Sequence, residues 1–297
     1  MRKIIVVAGA TASGKSAFAL RLAQDLGGAV ISADSMQIYR HLNVGTAKAT
    51  EIERASVPHY LIDIAEPDAE FSVAAFKECA DDAISDALAR GLIPIVAGGT
   101  GLYIDALLYN MSFSGACKNS EVRERLQAEA AIGLDALYTR LAALDPVSAA
   151  RIHANDAKRI VRALEIIETT GEPVKSDERI PRYDFLGFCM TLPREVLYKR
   201  INNRVDSMIE GGLEREVADV TAKTGFGCQS MQAIGYKEFK AYFEGLATLE
   251  ETKELIKKNT RNYAKRQITW FKKTPLIPLY PDDWDECVRL AREFLNF

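Results

Sequence analysis

Over the first hundred residues, short runs of apolar and β-branched side chains alternate with longer stretches of helical spacing. Lys3 to Ala8, Ala29 to Ser32 and Pro94 to Ala97 are apolar at almost every position, as strands buried on both faces are. Ser16 to Leu26 and Ser72 to Arg90 carry apolar residues three and four apart and read as helices. Strands alternating with helices predict an α/β protein with a parallel sheet. From about Gly115 to Arg182 the strand character disappears, leaving helical spacing in Arg123 to Leu144 and Lys158 to Glu168. Asp145-Pro146 marks a break between helices there, and Thr169 to Pro173 stops the last. Phe185 to Leu192 resumes strand character, charged helices fill Arg194 to Lys273, and Leu276 to Leu279 offers a last strand. The expected organisation is an α/β core of residues 1–114 and 183–297, interrupted by a helical insertion domain over 115–182.

A chain of 297 residues, 48% hydrophobic and 27% charged, is long enough to bury ~75% of its unfolded surface, which excludes disorder and fibre. Its longest apolar runs, such as Ile4 to Ala10, fall far short of the ~20 residues of a membrane helix, so no membrane partner is expected. Met1-Arg2-Lys3 followed by Ile4 to Val7 imitates the start of a signal peptide. The run ends in a glycine loop bearing Lys15 rather than in a cleavage site, which points to a cytoplasmic protein. Cys79, Cys117, Cys189, Cys228 and Cys287 contain no Cys-x-x-Cys pair, so neither a disulfide framework nor a zinc site is expected. His41, His59 and His153 have no metal spacing either. The net charge is −3, yet Lys253 to Lys273 gathers eight basic residues against Glu254 alone. That run fits a solvated helix face and an RNA footprint equally well.

The chemistry begins at Gly9-Ala10-Thr11-Ala12-Ser13-Gly14-Lys15-Ser16, which matches the phosphate-loop pattern G-x-x-x-x-G-K-[ST] between a strand and a helix. Small residues let backbone N–H groups approach phosphate oxygens, and the following helix presents its positive end to the anion. Lys15 adds a point charge, and Ser16 can hold Mg²⁺ bridging two phosphoryl groups. The core is therefore expected to be P-loop NTPase-like and nucleotide- or diphosphate-binding. Asp34 follows the second strand, at the carboxyl edge where open α/β sheets bind ligands. It can bind Mg²⁺, accept a proton from a nucleophile, or cap a helix. Gly98-Gly99-Thr100-Gly101 ends a further strand, and the Thr100 hydroxyl can reach the same phosphates. Three strand ends thus converge on one site of diphosphate size.

These strings, with Ile31 to Arg40, Gly45-Thr46-Ala47-Lys48, Pro58 to Asp63, Arg151 to Asp156, Arg159 to Glu165, Ala233 to Glu238 and Lys265 to Phe271, resemble the tRNA dimethylallyltransferase (tRNA isopentenyltransferase) family over nearly the whole chain. The resemblance implies transfer of the dimethylallyl group from dimethylallyl diphosphate to the exocyclic amine of the adenosine 3′-adjacent to the anticodon in tRNA, with Mg²⁺ as cofactor. It implies Asp34 as general base and Thr100 with an arginine, Arg204 in preference to Arg200, on the leaving diphosphate. It further implies Ser35, Met36 and Gln37 against the extruded adenosine, with Asp34 and Thr100 beside it. Arg123 and Lys158, Arg159, Ile160, Val161 and Arg162 become tRNA contacts, and the insertion a module for the anticodon stem-loop. The enzyme is expected to act as a monomer.

Ala10 stands where the family usually has proline, Ser16 where threonine is frequent, and Ala154 where proline follows Ile152-His153. None of these removes a reactive group. Eukaryotic relatives often append a zinc finger after the core; no such pattern precedes Phe297, so a bacterial-type enzyme is expected. An adenylate isopentenyltransferase acting on free AMP, ADP or ATP shares the phosphate loop and the carboxylate, but needs no helical insertion. A small-molecule P-loop kinase and a non-catalytic RNA-binding regulator are more distant alternatives. Trp270-Phe271 is read as core rather than as a stacking platform.

Overall fold

The computed structural model describes residues 1–111, 119–174 and 179–296. By their contacts they fall into two compact units, Met1–Tyr109 with Pro181–Phe297, and Asn110–Ile180. Gly115 and Cys117, named above as an insertion boundary and a thiol, lie outside the described residues. The other four cysteines are free thiols.

In the first unit, strands β1 (Lys3–Gly9), β2 (Gly28–Ser32), β3 (His59–Tyr60), β4 (Ile93–Gly98), β5 (Asp184–Met190) and β6 (Ile277–Leu279) form one sheet in the order β3-β2-β4-β1-β5-β6. Every pairing in it is parallel, which requires a crossover after each strand and leaves all carboxyl ends on one edge. β1 runs between β4 and β5, so Gly9, Ser32 and Gly98 end side by side, with Ser32 paired to Ala97 and Ala8 to Gly98. Helices α1 (Lys15–Leu26), α2 (Glu51–Ser56), α3 (Val73–Ala89) and α4 (Gly101–Leu108) belong to the amino-terminal part of this unit. β3 holds only two residues, too few for any periodicity, and its pairing with Val30 and Ile31 of β2 was not expected from the pattern.

The second unit is helical: α5 (Ser120–Ile132), α6 (Leu134–Leu144), α7 (Pro146–Arg151) and α8 (Ala157–Thr170). Gly133 splits the single helical stretch expected over Arg123 to Leu144 into two. Leu126, Leu137, Leu141, Ile160, Val161 and Leu164 form its core. The chain then supplies α9 (Arg194–Glu210), α10 (Leu213–Thr224), α11 (Phe239–Phe243), α12 (Leu249–Phe271) and α13 (Trp284–Leu295) to the first unit. On one sheet face Ile5 and Val7 pack with Phe18 and Leu22 of α1 and with Cys287 and Ala291 of α13. A separate cluster joins Ile38, Tyr39 and Leu42 to Val205, Leu213, Val217, Tyr236 and Ile256. That cluster carries α9 and α10 to the carboxyl edge of the sheet. No helix among the described residues is long and apolar enough to cross a membrane.

Candidate active site

The phosphate loop leaves β1 and enters α1 through two left-handed residues, Ala12 at φ 61° and Gly14 at φ 97°. Glycine adopts that conformation freely, whereas Ala12 holds it at a steric cost that marks a geometry imposed by the site. Ser13 Oγ is buried and has no hydrogen-bond partner among the described residues. Such an orphaned hydroxyl inside a loop of amides is suited to a phosphate oxygen. The Lys15 Nζ sits back over the loop, 3.4 Å from the Ala10 carbonyl. Burial lowers the Lys15 pKa to about 8, against the pull of Asp34 and together with the Arg204 charge. Burial likewise lowers the Arg204 pKa, again against Asp34. Two desolvated cations thus share one nearby carboxylate, and the deficit is a demand for an anion.

Arg204 comes from α9 and lines two adjoining spaces, one with Ala12, Gly14, Lys15 and Ser16, the other a cavity of about 300 Å³ that also holds Thr11, Asp34, Ser35 and Met36. Arg200 lines only the first, from an exposed position. Asp34 is fixed by an Asx-type turn in which the Met36 N–H donates to Oδ1 at 2.9 Å. Thr100 Oγ1 accepts from the Ser35 N–H at 3.1 Å, and the Thr100 N–H donates to the Ala33 carbonyl at 3.2 Å. The strand-end loops of β2 and β4 are thereby stitched together, with Asp34 between them. Gln37 does not line the cavity but is held next to it: Ser32 Oγ donates to its Oε1 at 2.9 Å, and its Nε2 donates to the carbonyl of Thr46, which does line it, at 3.2 Å.

Three contributors escape sequence reasoning. Gln267 of α12 is buried and accepts from the Thr11 N–H at 2.8 Å while donating to the Gly99 carbonyl at 2.8 Å. One amide therefore joins the phosphate loop to the loop bearing Thr100. Tyr263, one turn earlier, lines the cavity with Asp34. Burial and then the Asp34 charge push its hydroxyl up to about 12, so it remains a proton donor at neutral pH. Glu216 of α10 accepts from the Asn43, Val44 and Gly45 N–H groups. Only their separation in sequence hid them, since each belongs to a recognisable helix. In the same helix Phe271 is buried, whereas Trp270 is partly exposed with its indole N–H on Asp105 at 3.0 Å.

In the helical unit Ile160 and Val161 are buried core side chains that offer no side-chain surface to a ligand. Arg123 makes a bidentate pair with the fully buried Glu165, Nη2 to Oε2 at 2.8 Å, and Arg162 Nη1 lies 3.0 Å from the same Oε2. Lys158 and Arg159 are exposed on the first turn of α8. Part of the basic run 253–273 is likewise spent within the fold, with Lys257 on Asp206 at 2.8 Å and Arg261 on Asn202 at 2.7 Å. No cluster of three or more His, Cys, Asp or Glu able to hold a metal occurs among the described residues. Any divalent ion would therefore be held largely by its phosphate ligand and by the Ser16 hydroxyl, exposed at the head of α1, which suits magnesium.

A parallel sheet whose central strand opens into a phosphate loop, with a carboxylate, a buried lysine and a partly buried arginine at the same edge, defines a P-loop-like protein with a basic, anion-sized site beside a carboxylate. A family model described as IPP transferase matches residues 37–274, and one described as isopentenyl transferase matches residues 2–71. The chain is 44% identical to the tRNA dimethylallyltransferase of Pelotomaculum thermopropionicum, over 98% of this chain and 94% of the relative. It is 46% identical to that of Anoxybacillus flavithermus, over 99% and 96%. Among solved structures, the tRNA isopentenylpyrophosphate transferase of Staphylococcus epidermidis matches with a TM-score of 0.73 at 40% identity, covering 100% and 99% of the two chains. A eukaryotic dimethylallyltransferase acting on tRNA matches with a TM-score of 0.86 at 29% identity, covering 100% and 80%. The chain belongs to the tRNA dimethylallyltransferase family.

Proposed function

We propose that this chain transfers the dimethylallyl group of dimethylallyl diphosphate to the exocyclic amine of the adenosine 3′-adjacent to the anticodon in tRNA, releasing diphosphate. The observation that carries the reading is the shared setting of Asp34, Lys15 and Arg204: Arg204 lines both the space beside the buried Lys15 and the cavity that holds the Asp34 carboxylate. The phosphate-loop amides, Lys15 and the Ser13 hydroxyl hold the diphosphate, and Arg204 bridges from it to the cavity where the allylic carbon and the adenine meet. As the amine nitrogen bonds to the allylic carbon, the carbon–oxygen bond breaks and its electron pair leaves with the diphosphate. The amine proton passes to Asp34, whose orientation the Met36 N–H fixes. Charge that develops on the departing oxygen is met by Lys15, Arg204 and the Thr100 hydroxyl, already in place before reaction. Mg²⁺ held through Ser16 would supply further neutralisation of the diphosphate.

Ser35, Met36 and Thr100 contact the extruded base on this reading, because a stacked adenine cannot bring its amine to Asp34. Lys158 and Arg159 of the helical unit are the exposed cations that engage the tRNA backbone, with Arg123 and Arg162 shaping that helix through Glu165. The enzyme works as a cytoplasmic monomer. Radiolabelled dimethylallyl diphosphate supplied with total tRNA or with AMP tests the reading. Label in tRNA alone supports it, label in AMP favours a free-nucleotide enzyme, and label in neither overturns prenyl transfer.

A further inference from the structure

Glu216 is on α10, with no place in the phosphate loop, yet its carboxylate is the most heavily solicited acceptor near the cavity. Asn43 and Val44 N–H donate to Oε2, each at 2.8 Å. Gly45 N–H donates to Oε1 at 3.0 Å, and the Tyr236 hydroxyl donates to the same oxygen at 2.6 Å. Three successive amides turned to one point form a nest for an anion, and here the anion is the protein's own side chain. Gly45 is pressed onto the Tyr236 ring so closely that a Cβ there would lie 2.5 Å from a ring carbon. The next residue, Thr46, presents its carbonyl to Arg204 Nη2 at 3.4 Å and to Gln37 Nε2 at 3.2 Å. Gly45 and Thr46 line the cavity that holds Asp34 and Arg204.

We propose that Glu216 is a positioning residue for prenyl transfer: it seats the 43–45 backbone so that the Thr46 carbonyl holds the Arg204 guanidinium between the phosphate loop and Asp34. This rests on the transferase reading of the cavity. The position needs a carboxylate and not an amide, because three of the four groups that reach it are backbone N–H donors, and an amide NH₂ in either orientation would face at least one of them unpaired. Arg204 is long, partly buried and drawn both to Asp34 and to an incoming diphosphate, so a fixed carbonyl restricts the arc it can sweep.

The test measures prenyl transfer to an anticodon stem-loop RNA with varied dimethylallyl diphosphate, and calorimetric binding of inorganic diphosphate, for wild type, Glu216→Gln, Arg204→Ala and the double variant. Glu216→Gln should lower kcat/KM for the donor ~10–100-fold and weaken diphosphate binding. The double variant should be no slower than Arg204→Ala within about twofold, because Glu216 acts through Arg204. Tyr236→Phe, which removes one of the four hydrogen bonds, should give a smaller loss of the same kind and keeps the test open should Glu216→Gln not fold. A purely structural role would lower the melting temperature and leave the two losses multiplicative; that result, or an unchanged kcat/KM, overturns the proposal. If wild type transfers nothing to RNA, the transferase reading fails instead, and diphosphate binding still decides whether Glu216 governs Arg204.

Discussion

Asp34 has to accept one proton from a weakly nucleophilic amine, so its contribution is separable from binding. Asp34→Asn keeps the size of the side chain and the turn made with Met36 but loses the proton acceptor. Turnover with tRNA should fall ~10²–10⁴-fold, while diphosphate affinity stays within severalfold; single-turnover rates beside calorimetric binding make the check, and near-normal turnover would remove Asp34 as base. Lys15 gives a prediction in pH. Burial lowers its pKa from 10.5 to about 8 in the free protein, and a bound diphosphate favours the charged amine and raises it again. Measured against Lys15→Arg, which carries the ligand's own ionisation, the Lys15-linked part of diphosphate affinity should therefore be flat below about pH 8 and fall by up to about tenfold per unit above it, until the pKa of the complex is passed. Titrations of inorganic diphosphate from pH 6.5 to 9.5 would show the bend, and an equal bend in Lys15→Arg would assign it elsewhere. The stability sign is opposite to that of a salt-bridged lysine. The charged amine is disfavoured in the fold, so the cost is full below about pH 8 and is relieved as pH rises towards 10.5.

At the scale of elements, α12 works as a strut across the carboxyl edge. Gln267 is the joint: its amide spans from the Thr11 N–H to the Gly99 carbonyl. Gln267→Leu leaves the buried Gly99 carbonyl without this donor, at ~1–3 kcal/mol, and frees the partly buried Thr11 N–H, so the melting temperature should drop and diphosphate binding weaken together. An unaltered diphosphate affinity would mean the phosphate loop holds its shape without the strut. Helix α8 depends on a charge in the same manner. Burial pushes the Glu165 pKa up, but hydrogen bonds from Arg123 and Arg162 outweigh it and leave it lowered. Its stabilising contribution is therefore present above the ordinary glutamate range and is lost as pH falls through the lowered value. Glu165→Gln should destabilise the helical unit by ~1–3 kcal/mol, since the arginines it leaves are partly exposed, seen as an earlier loss of helical circular dichroism on heating. What the sequence shows of these elements follows from distance along the chain. The phosphate loop and Asp34 are written in contiguous residues whose glycines and β-branched neighbours announce a strand, a turn and a helix. Gln267 stands 256 residues from Thr11, and Glu216 stands 173 from Asn43. No local propensity marks either as anything but an ordinary helical polar residue. The same holds for Arg123 and Arg162: positive charge is legible, but whether a buried carboxylate has claimed it is not.

For the whole molecule the question is what a separate helical unit adds to a core that already carries the phosphate loop and Asp34. Its exposed cations Lys158 and Arg159 stand on the first turn of α8, while Arg162 is paired with Glu165. Replacing Lys158 and Arg159 together by Ala therefore tests RNA contact without disturbing the buried pair. Each backbone phosphate they neutralise contributes about −0.7 to −0.9 to the slope of log K against log salt, so the slope for a stem-loop should flatten by up to about 2 units. An unchanged slope would return α8 to an ordinary solvated face. Removing the unit altogether makes the stronger demand. Tyr109 bridges Pro181, and the Arg182 N–H donates to the Leu108 carbonyl at 2.8 Å, so the chain leaves and re-enters the α/β unit at adjacent points. A short glycine-serine linker in place of residues 110–180 can close that gap without straining the sheet. The phosphate loop, Asp34, Thr100, Arg204 and Gln267 all remain. If the helical unit presents the anticodon stem-loop, the truncated protein should bind inorganic diphosphate within severalfold of wild type and yet transfer no prenyl group to tRNA. Diphosphate binding certifies that the core has folded, so the two measurements on one preparation are decisive: transfer to the stem-loop at the full rate would mean that the core recognises its RNA unaided.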